Sequence, residues 1–257
     1  MIQNKIDDGH YQGFWIEWYD DLLKGETSDL NFYTGILEPS DGPVLELACG
    51  TGRMMLALMD KSIVTHGLDI SEPMLEICRK KLSGQIFDTV LYRQDVTDMK
   101  LPRTYPTIIA SGGSFQLVST HDQALKALEN IFKSLDENGR FICDLWIPWD
   151  ELIANEQKTW KVGRVAERPD GTRMVVSYYK EFHHREQMQT GLFKYEMFDG
   201  PLLVDTHLDE LKISWFGVRE FELMLEKTGF TIIRSEKQPI MSSHGISTVY
   251  IAKKIKP

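Results

Sequence analysis

Cysteine is scarce: Cys49, Cys78 and Cys143 are the only three in 257 residues. They share no metal-ligand spacing, which leaves neither a disulfide framework nor a zinc cluster to hold the fold. Long apolar runs are missing too, and none approaches the ~18 residues that a membrane span needs. Positive charge is in deficit, with 29 Lys and Arg against 38 Asp and Glu and a net charge of −9. A surface that neutralises many phosphates is therefore not expected, and neither is a nucleic-acid partner. Met1 to Asp8 form no apolar leader and carry acids that transit peptides avoid, so a cytoplasmic location is expected. No low-complexity segment and no repeat of 20–50 residues interrupts the chain.

What is present is an ordinary globular composition, 42% hydrophobic and 26% charged, in a chain long enough for one elaborated domain. Val44-Leu45-Glu46-Leu47-Ala48-Cys49-Gly50-Thr51-Gly52-Arg53 is an apolar run that ends in an acid and a small-residue turn, with helix-forming Met54 to Met59 directly behind it. That order reads as strand, tight loop, helix. Gly50 and Gly52 permit a sharp bend and a close ligand approach, and the free N–H groups of a helix start favour a negative ligand group. A dinucleotide fingerprint would need a third glycine where Met55 stands, so that reading fails.

Further along, Ile63 to Asp69 reads as a buried strand ending in a carboxylate nineteen residues after Gly50, with Ser71 placed to cap a helix over Glu72 to Leu82. Thr89 to Val96 supplies a third strand with Asp95 at its end. Thr107 to Ala110 is a fourth, running into Ser111-Gly112-Gly113-Ser114-Phe115-Gln116. Thr120 and Gln123 make a capping box for a helix through Leu135, and Gly139 to Leu145 is a fifth strand.

Glu46-Leu47-Ala48-Cys49-Gly50-Thr51-Gly52, followed by Leu68-Asp69-Ile70-Ser71-x-x-Met74-Leu75 and then Asp95-Val96, resembles the successive motifs of the class I S-adenosylmethionine-dependent methyltransferases. Ala48 stands where many members have the first glycine, as is common in this subtype. The resemblance implies an α/β fold with a doubly wound, mostly parallel seven-stranded sheet, and S-adenosyl-L-methionine as cofactor, with S-adenosyl-L-homocysteine as product. It implies that Glu46 lies near the cofactor's amino group, with Ala48, Gly50, Thr51 and Gly52 packed under its methionine part. Asp69 would take the ribose hydroxyls, Ile70 and Met74 would flank the adenine, Asp95 and Val96 would serve the adenine amino group and a ring nitrogen, and Ser111 would lie in the crevice. No Asn/Asp-Pro-Pro-Tyr sequence follows the fourth strand, unlike in methyltransferases of adenine or glutamine amides.

Aromatics from Tyr11 to Leu23 recur at helical spacing, which predicts an amphipathic helix over the core, and Tyr11 and Tyr19 resemble tyrosines that close over the cofactor. After Trp146 four β-rich stretches, Val162 to Glu167, Arg173 to Phe182, Gln187 to Phe198 and Leu202 to Trp215, alternate with hairpin punctuation such as Pro169-Asp170-Gly171 and Asp199-Gly200-Pro201. They predict an added antiparallel β-sheet, followed by a helix from Val218 to Lys227 and two last strands. The expected divisions are an N-terminal lid (1–42), a cofactor-binding core (43–147), an acceptor-side sheet (148–216) and the closing helix and strands (217–257).

The expected activity is direct methyl transfer to a small-molecule acceptor, with Phe115, Gln116, Trp146 and Trp149 as candidate acceptor walls and no catalytic residue assigned. His121 reads as a solvated polar residue, and His183-His184 with His207 as hairpin polarity without a metal site. A methyltransferase of tRNA or protein and a non-catalytic scaffold subunit are the alternatives. Monomer or homodimer is expected.

Overall fold

The computed structural model describes residues 11–84, 88–154, 159–241 and 245–255; Met1 to Asp8 lie outside them. Seven strands form the main sheet: β1 (Val44–Leu47), β2 (Thr65–Asp69), β3 (Leu91–Arg93), β4 (Tyr105–Ala110), β5 (Leu135–Trp146), β10 (Phe230–Gln238) and β11 (Ser247–Lys254). Their order is β10-β11-β5-β4-β1-β2-β3, parallel throughout except that β11 runs antiparallel to both its neighbours. The chain starts at β1, moves outward through β2 and β3, and returns to β4 on the other side. The order thus reverses between β1 and β4, and the carboxyl ends of those strands border a crevice.

Both faces of this sheet are covered, which explains why its central strands read as unbroken apolar runs. Leu45, Ile108 and Phe141 point into one core with Leu128 and Ile131 of α5 (His121–Ser134) and Phe221 and Leu225 of α7 (Val218–Lys227). Their neighbours Val44, Ile109 and Ile142 point the other way, into a core with Tyr33 of α2 (Ser28–Ile36) and Met54 and Leu58 of α3 (Arg53–Met59). Ser71 caps α4 (Glu72–Leu82) by accepting from Met74 N, and Thr120 caps α5 by accepting from Gln123 N. β5 begins at Leu135, ahead of the start predicted at Gly139. Tyr105 pairs with Leu135 and Thr107 with Arg140, so the residues between bulge outward, with Asn138 at φ 64°.

A second sheet, β6 (Lys161–Glu167), β7 (Thr172–His183), β8 (Met188–Asp199) and β9 (Leu202–Ser214), is a sequential antiparallel meander, preceded by α6 (Trp149–Ala154). Its strands match the predicted stretches to within a few residues. The segment before α2 departs from prediction. In place of one amphipathic helix there is a 3₁₀ turn (Phe14–Trp18) and one α turn, α1 (Tyr19–Leu22). Gly13 enters it at φ 87°, and Trp15, Ile16 and Trp18 are buried between Met74 on one side and Met174, Val176 and Tyr195 of the second sheet on the other. A segment gripped from two sides must turn aromatics both ways, which a single-striped helix does not do. Arg168 seals the contact, stacking 3.8 Å over Trp18 and donating to Asp21 Oδ2 and the Glu17 carbonyl.

Candidate cofactor and acceptor site

The turn after β1 is built from left-handed backbone: Ala48 at φ 52°, Gly50 at 54° and Gly52 at 79°. At Gly52 glycine is required twice over, since a Cβ there would lie 2.5 Å from Cys78 Sγ. Asp69 at the end of β2 fixes the turn. Its Oδ2 accepts from Gly50 N at 2.7 Å and its Oδ1 from Ser71 N at 2.8 Å. Thr51 Oγ1 donates to Asp20 of α1, and Arg53 donates to the Glu26 carbonyl and forms a buried ion pair with Asp29.

Glu46 sits beneath this turn, almost wholly buried. Its Oε1 accepts from Ser111 Oγ at 3.2 Å, while its Oε2 is buried with no partner. Burial raises its pKa well above the ordinary carboxylate range, opposed by Ser111 and the charge of Arg53. A lone buried carboxylate oxygen is costly, and a donor group arriving in the crevice would relieve it. The residues present therefore fit a ligand whose amino group reaches Glu46 and whose remainder lies along the glycine turn.

Several other expected residues gather at the same edge. Tyr11 offers its carbonyl to Ser71 Oγ at 2.9 Å, and its ring lies 5.8 Å from Trp15 and 6.1 Å from Tyr19. Burial raises the Tyr19 phenol to about 12, with the Arg53 charge opposing. Met74 is buried under the same aromatics and Ile70 is half-buried at the start of the loop. Asp95 is exposed and caps a 3₁₀ turn, Val96–Asp98, with Oδ1 accepting from both Thr97 N and Oγ1; the Val96 carbonyl accepts from Asn130.

The expected acceptor walls are held in different ways. Phe115 packs into the core against Phe141, Phe216 and Phe221. Gln116 is fully buried and spends its amide on backbone: Nε2 donates to the Trp146 and Ser214 carbonyls at 2.9 and 2.8 Å, and Oε1 accepts from Trp146 N at 2.8 Å. Trp146 is buried against Gly113, and Trp149 is exposed on α6. Gln116 and Trp146 are bonded to each other where the chain leaves the main sheet and Ser214 returns from the second, Phe115 packs beside them in the core, and Trp149 stands apart on α6. His121 is not simply solvated: its Nε2 lies 2.5 Å from Glu220 Oε1 and ties α5 to α7. Burial works against the Glu220 charge, but donors from Gly217, Gln187 and His121 hold its carboxyl below the usual range. His183 meets Thr190, and His207 lies mid-strand in β9 facing Phe14 and Tyr195 rather than in a turn. Among the described residues no group of three or more His, Cys, Asp and Glu could hold a metal ion.

Asp144, near the end of β5, escaped the sequence reading. It is fully buried, accepting from Gly112 N at 2.9 Å, Gly113 N at 2.8 Å and Tyr33 Oη at 2.8 Å, and burial pushes its carboxyl up to about 7 against these donors. It clamps the loop that carries Ser111 beside Glu46. An acid inside the apolar run Phe141-Ile142-Cys143-Asp144-Leu145 was the available signal.

Residues 44–139 match the family described as a methyltransferase domain. The fold is similar to that of the CcbJ methyltransferase from Streptomyces caelestis, with a TM-score of 0.77 at 18% identity over 97% of this chain and 100% of the other. The fold is thus the α/β Rossmann-like one, with the matched methyltransferase domain at its centre. The sequence is similar to YqeM of Bacillus subtilis (strain 168), provisionally named a methyltransferase, at 25% identity over 243 residues and 87% of each chain. It is also similar to the dTDP-3-amino-3,4,6-trideoxy-alpha-D-glucopyranose N,N-dimethyltransferase of Streptomyces venezuelae, at 24% over 163 residues, 60% of this chain and 67% of the other. The comparisons thus give this chain a methyltransferase domain over residues 44–139 and a fold shared along nearly its whole length with a methyltransferase.

Proposed function

We propose that the chain transfers a methyl group from S-adenosylmethionine directly to a small-molecule acceptor lying between the glycine turn and the antiparallel sheet. The observation that carries this reading is the roof: Tyr11 to Leu22 is pinned over the Asp69–Met74 edge by the Ser71–Tyr11 bond and backed by Tyr195. An enclosed crevice suits a small acceptor better than a macromolecular one, and the net charge of −9 argues the same way against tRNA. One relative being an amino-sugar N,N-dimethyltransferase supports the substrate scale.

The sulfonium of the bound cofactor supplies an already activated methyl, so the protein's work is placement and exclusion of water. Glu46 would hold the cofactor's amino group. The Ala48 to Gly52 turn would lie under its methionine part, Asp69 would accept from the ribose hydroxyls, Ile70 and Met74 would flank the adenine, and Asp95 and Val96 would receive its edge. Asp144 fixes Ser111 on the opposite bank. Of the 1–42 division, residues 11–42 would act as lid, the rest lying outside the described residues, with 43–147 and 217–257 as core and 148–216 as the acceptor side. A cytoplasmic setting and a monomer or homodimer complete the reading.

The test is calorimetric titration with S-adenosylmethionine, S-adenosylhomocysteine and, as control, a nicotinamide dinucleotide, followed by transfer of labelled methyl to pools of small acceptors, bulk tRNA and bulk protein. Micromolar binding of the first pair alone and label in the small-molecule pool are expected. Label confined to tRNA or protein, or no label anywhere, overturns the small-acceptor reading.

A further inference from the structure

Three sulfur atoms meet beneath the glycine turn, brought together from a loop and two helices. Cys49 belongs to the turn itself, Met55 to α3 and Cys78 to α4, and all three are buried. Cys78 Sγ lies 4.0 Å from Met55 Sδ, and the two thiols, both free of any disulfide, share a hydrogen bond. A Cβ at Gly67 of β2 would come within 2.6 Å of Cys49 Sγ and 2.7 Å of Met55 Sδ, so these two sulfurs crowd one bare patch of strand. Leu75 completes the cluster, with Leu82 and Leu91 packed against it.

Thiolates and a thioether are soft ligands, and soft ligands select Cu(I). Three sulfurs held around one such ion at about 2.3 Å stand about 4 Å from one another, the spacing already found between Cys78 and Met55. The leucines keep water from the ion. Hydrogen bonds among the sulfurs are no obstacle, because the ion takes the place of the thiol protons. Two S–H bonds break, two Cu–S bonds form, the thioether donates a lone pair, two protons leave to solvent, and copper stays Cu(I) throughout.

The cluster is also tied to the turn above it. Gly52 N donates to the Cys49 carbonyl at 2.9 Å, and Cys78 Sγ sits 2.5 Å from where a Gly52 Cβ would stand. Drawing Cys49 and Cys78 onto one ion therefore moves the turn against Asp69, which holds Gly50 N.

We propose that Cys49, Met55 and Cys78 form a Cu(I) site beneath the glycine turn, and that filling it lowers cofactor affinity. The coupling rests on the cofactor reading given above; the site itself does not.

The experiment uses the full chain, reduced and kept free of oxygen. Cu(I) is titrated in competition with bicinchoninate, and X-ray absorption counts the sulfur neighbours, for wild type, Cys78→Ala, Met55→Leu and Cys143→Ser. One Cu(I) per chain with three sulfur neighbours is expected in wild type. Binding should be roughly a hundredfold weaker in Cys78→Ala, about tenfold weaker in Met55→Leu and the same within about twofold in Cys143→Ser. Calorimetry with S-adenosylhomocysteine should find affinity about fivefold or more lower in the loaded chain, and linkage requires that S-adenosylhomocysteine weaken Cu(I) by the same factor. Should Cys78→Ala fail to fold, the volume-conserving Met55→Leu carries the comparison. No stoichiometric Cu(I), fewer than three sulfur neighbours, or binding unchanged in Cys78→Ala and Met55→Leu overturns the site. Loading that leaves S-adenosylhomocysteine affinity as it was overturns the coupling. A metal-free wild type that does not bind S-adenosylhomocysteine removes the cofactor reading, and the copper titration then decides the site by itself.

Discussion

At the carboxyl ends of β1 and β2 the backbone itself shapes the site: left-handed residues turn the chain and Asp69 pins the resulting N–H groups in place. On the β6–β9 sheet the backbone is a plain meander, and only the identity of side chains on one face separates one position from the next. The first kind of site tolerates almost no substitution, because geometry and chemistry coincide in the same residues. Under the proposed acceptor role, the second kind could change its ligand by changing a few side chains while every ladder bond stays. Invariant cofactor and variable acceptor call for that division.

The contrast can be broken at its strongest point, where the two sheets join. Gln116→Ala removes three hydrogen bonds to buried backbone at that joint, and a loss of about 3 kcal/mol is expected, a fall in Tm of roughly 6–12 °C. Thermal melts check this; a Tm within about 2 °C of wild type would mean the joint does not depend on Gln116. Next in size, Gly52→Ala forces a side chain into left-handed backbone and against Cys78. A cost of about 2–3 kcal/mol is expected, together with loss of S-adenosylhomocysteine binding by calorimetry. The corresponding glycine of the hairpin turn, Gly200, meets nothing within 4 Å at its Cβ, so Gly200→Ala should cost only the strain of its φ of 54° and leave cofactor binding intact.

Asp144 sharpens the comparison through pH. Its carboxyl is raised to about 7 in the folded chain from an ordinary 3.8. A raised carboxyl stabilises the fold in its protonated form, so this contribution is full below pH 4 and is lost as pH climbs through 7. Wild type measured against the non-titrating Asp144→Asn by denaturant unfolding should therefore lose about 1–4 kcal/mol of its relative stability between pH 4 and 8. A gap that does not narrow contradicts the assignment. The smallest effect belongs to His121→Ala. Its contact with Glu220 is half-exposed, so under about 1 kcal/mol and no change in cofactor affinity are expected in the same measurements.

The same contrast explains what the sequence made legible. Glu46, the Ala48 to Gly52 turn and Asp69 stand at strand ends in the order of the motifs they resemble, and the fold brings them to one edge. The four antiparallel strands were legible too, since hairpin punctuation is local. Asp144 was not, because its meaning lies in Gly112, Gly113 and Tyr33, which reach it only through the folded sheet. Phe115, Gln116 and Trp146 were placed near the crevice by their position after β4 and β5, yet their direction is set by long-range packing against α7 and β9. The Tyr11 to Leu23 stretch has a helical period, but its second packing partner arrives some 150 residues later, and periodicity carries no trace of it.

Gln116 binds the chain at Trp146, where it leaves the core, and again at Ser214, where it comes back. The excursion between those two carbonyls is thereby closed at its base like a cassette in a socket. Exchange of the whole excursion for that of a related chain would keep its exit and re-entry points in register with the cofactor turn. Under the proposed acceptor role, diversification by wholesale replacement, rather than residue by residue, is an evolutionary route that this joint leaves open.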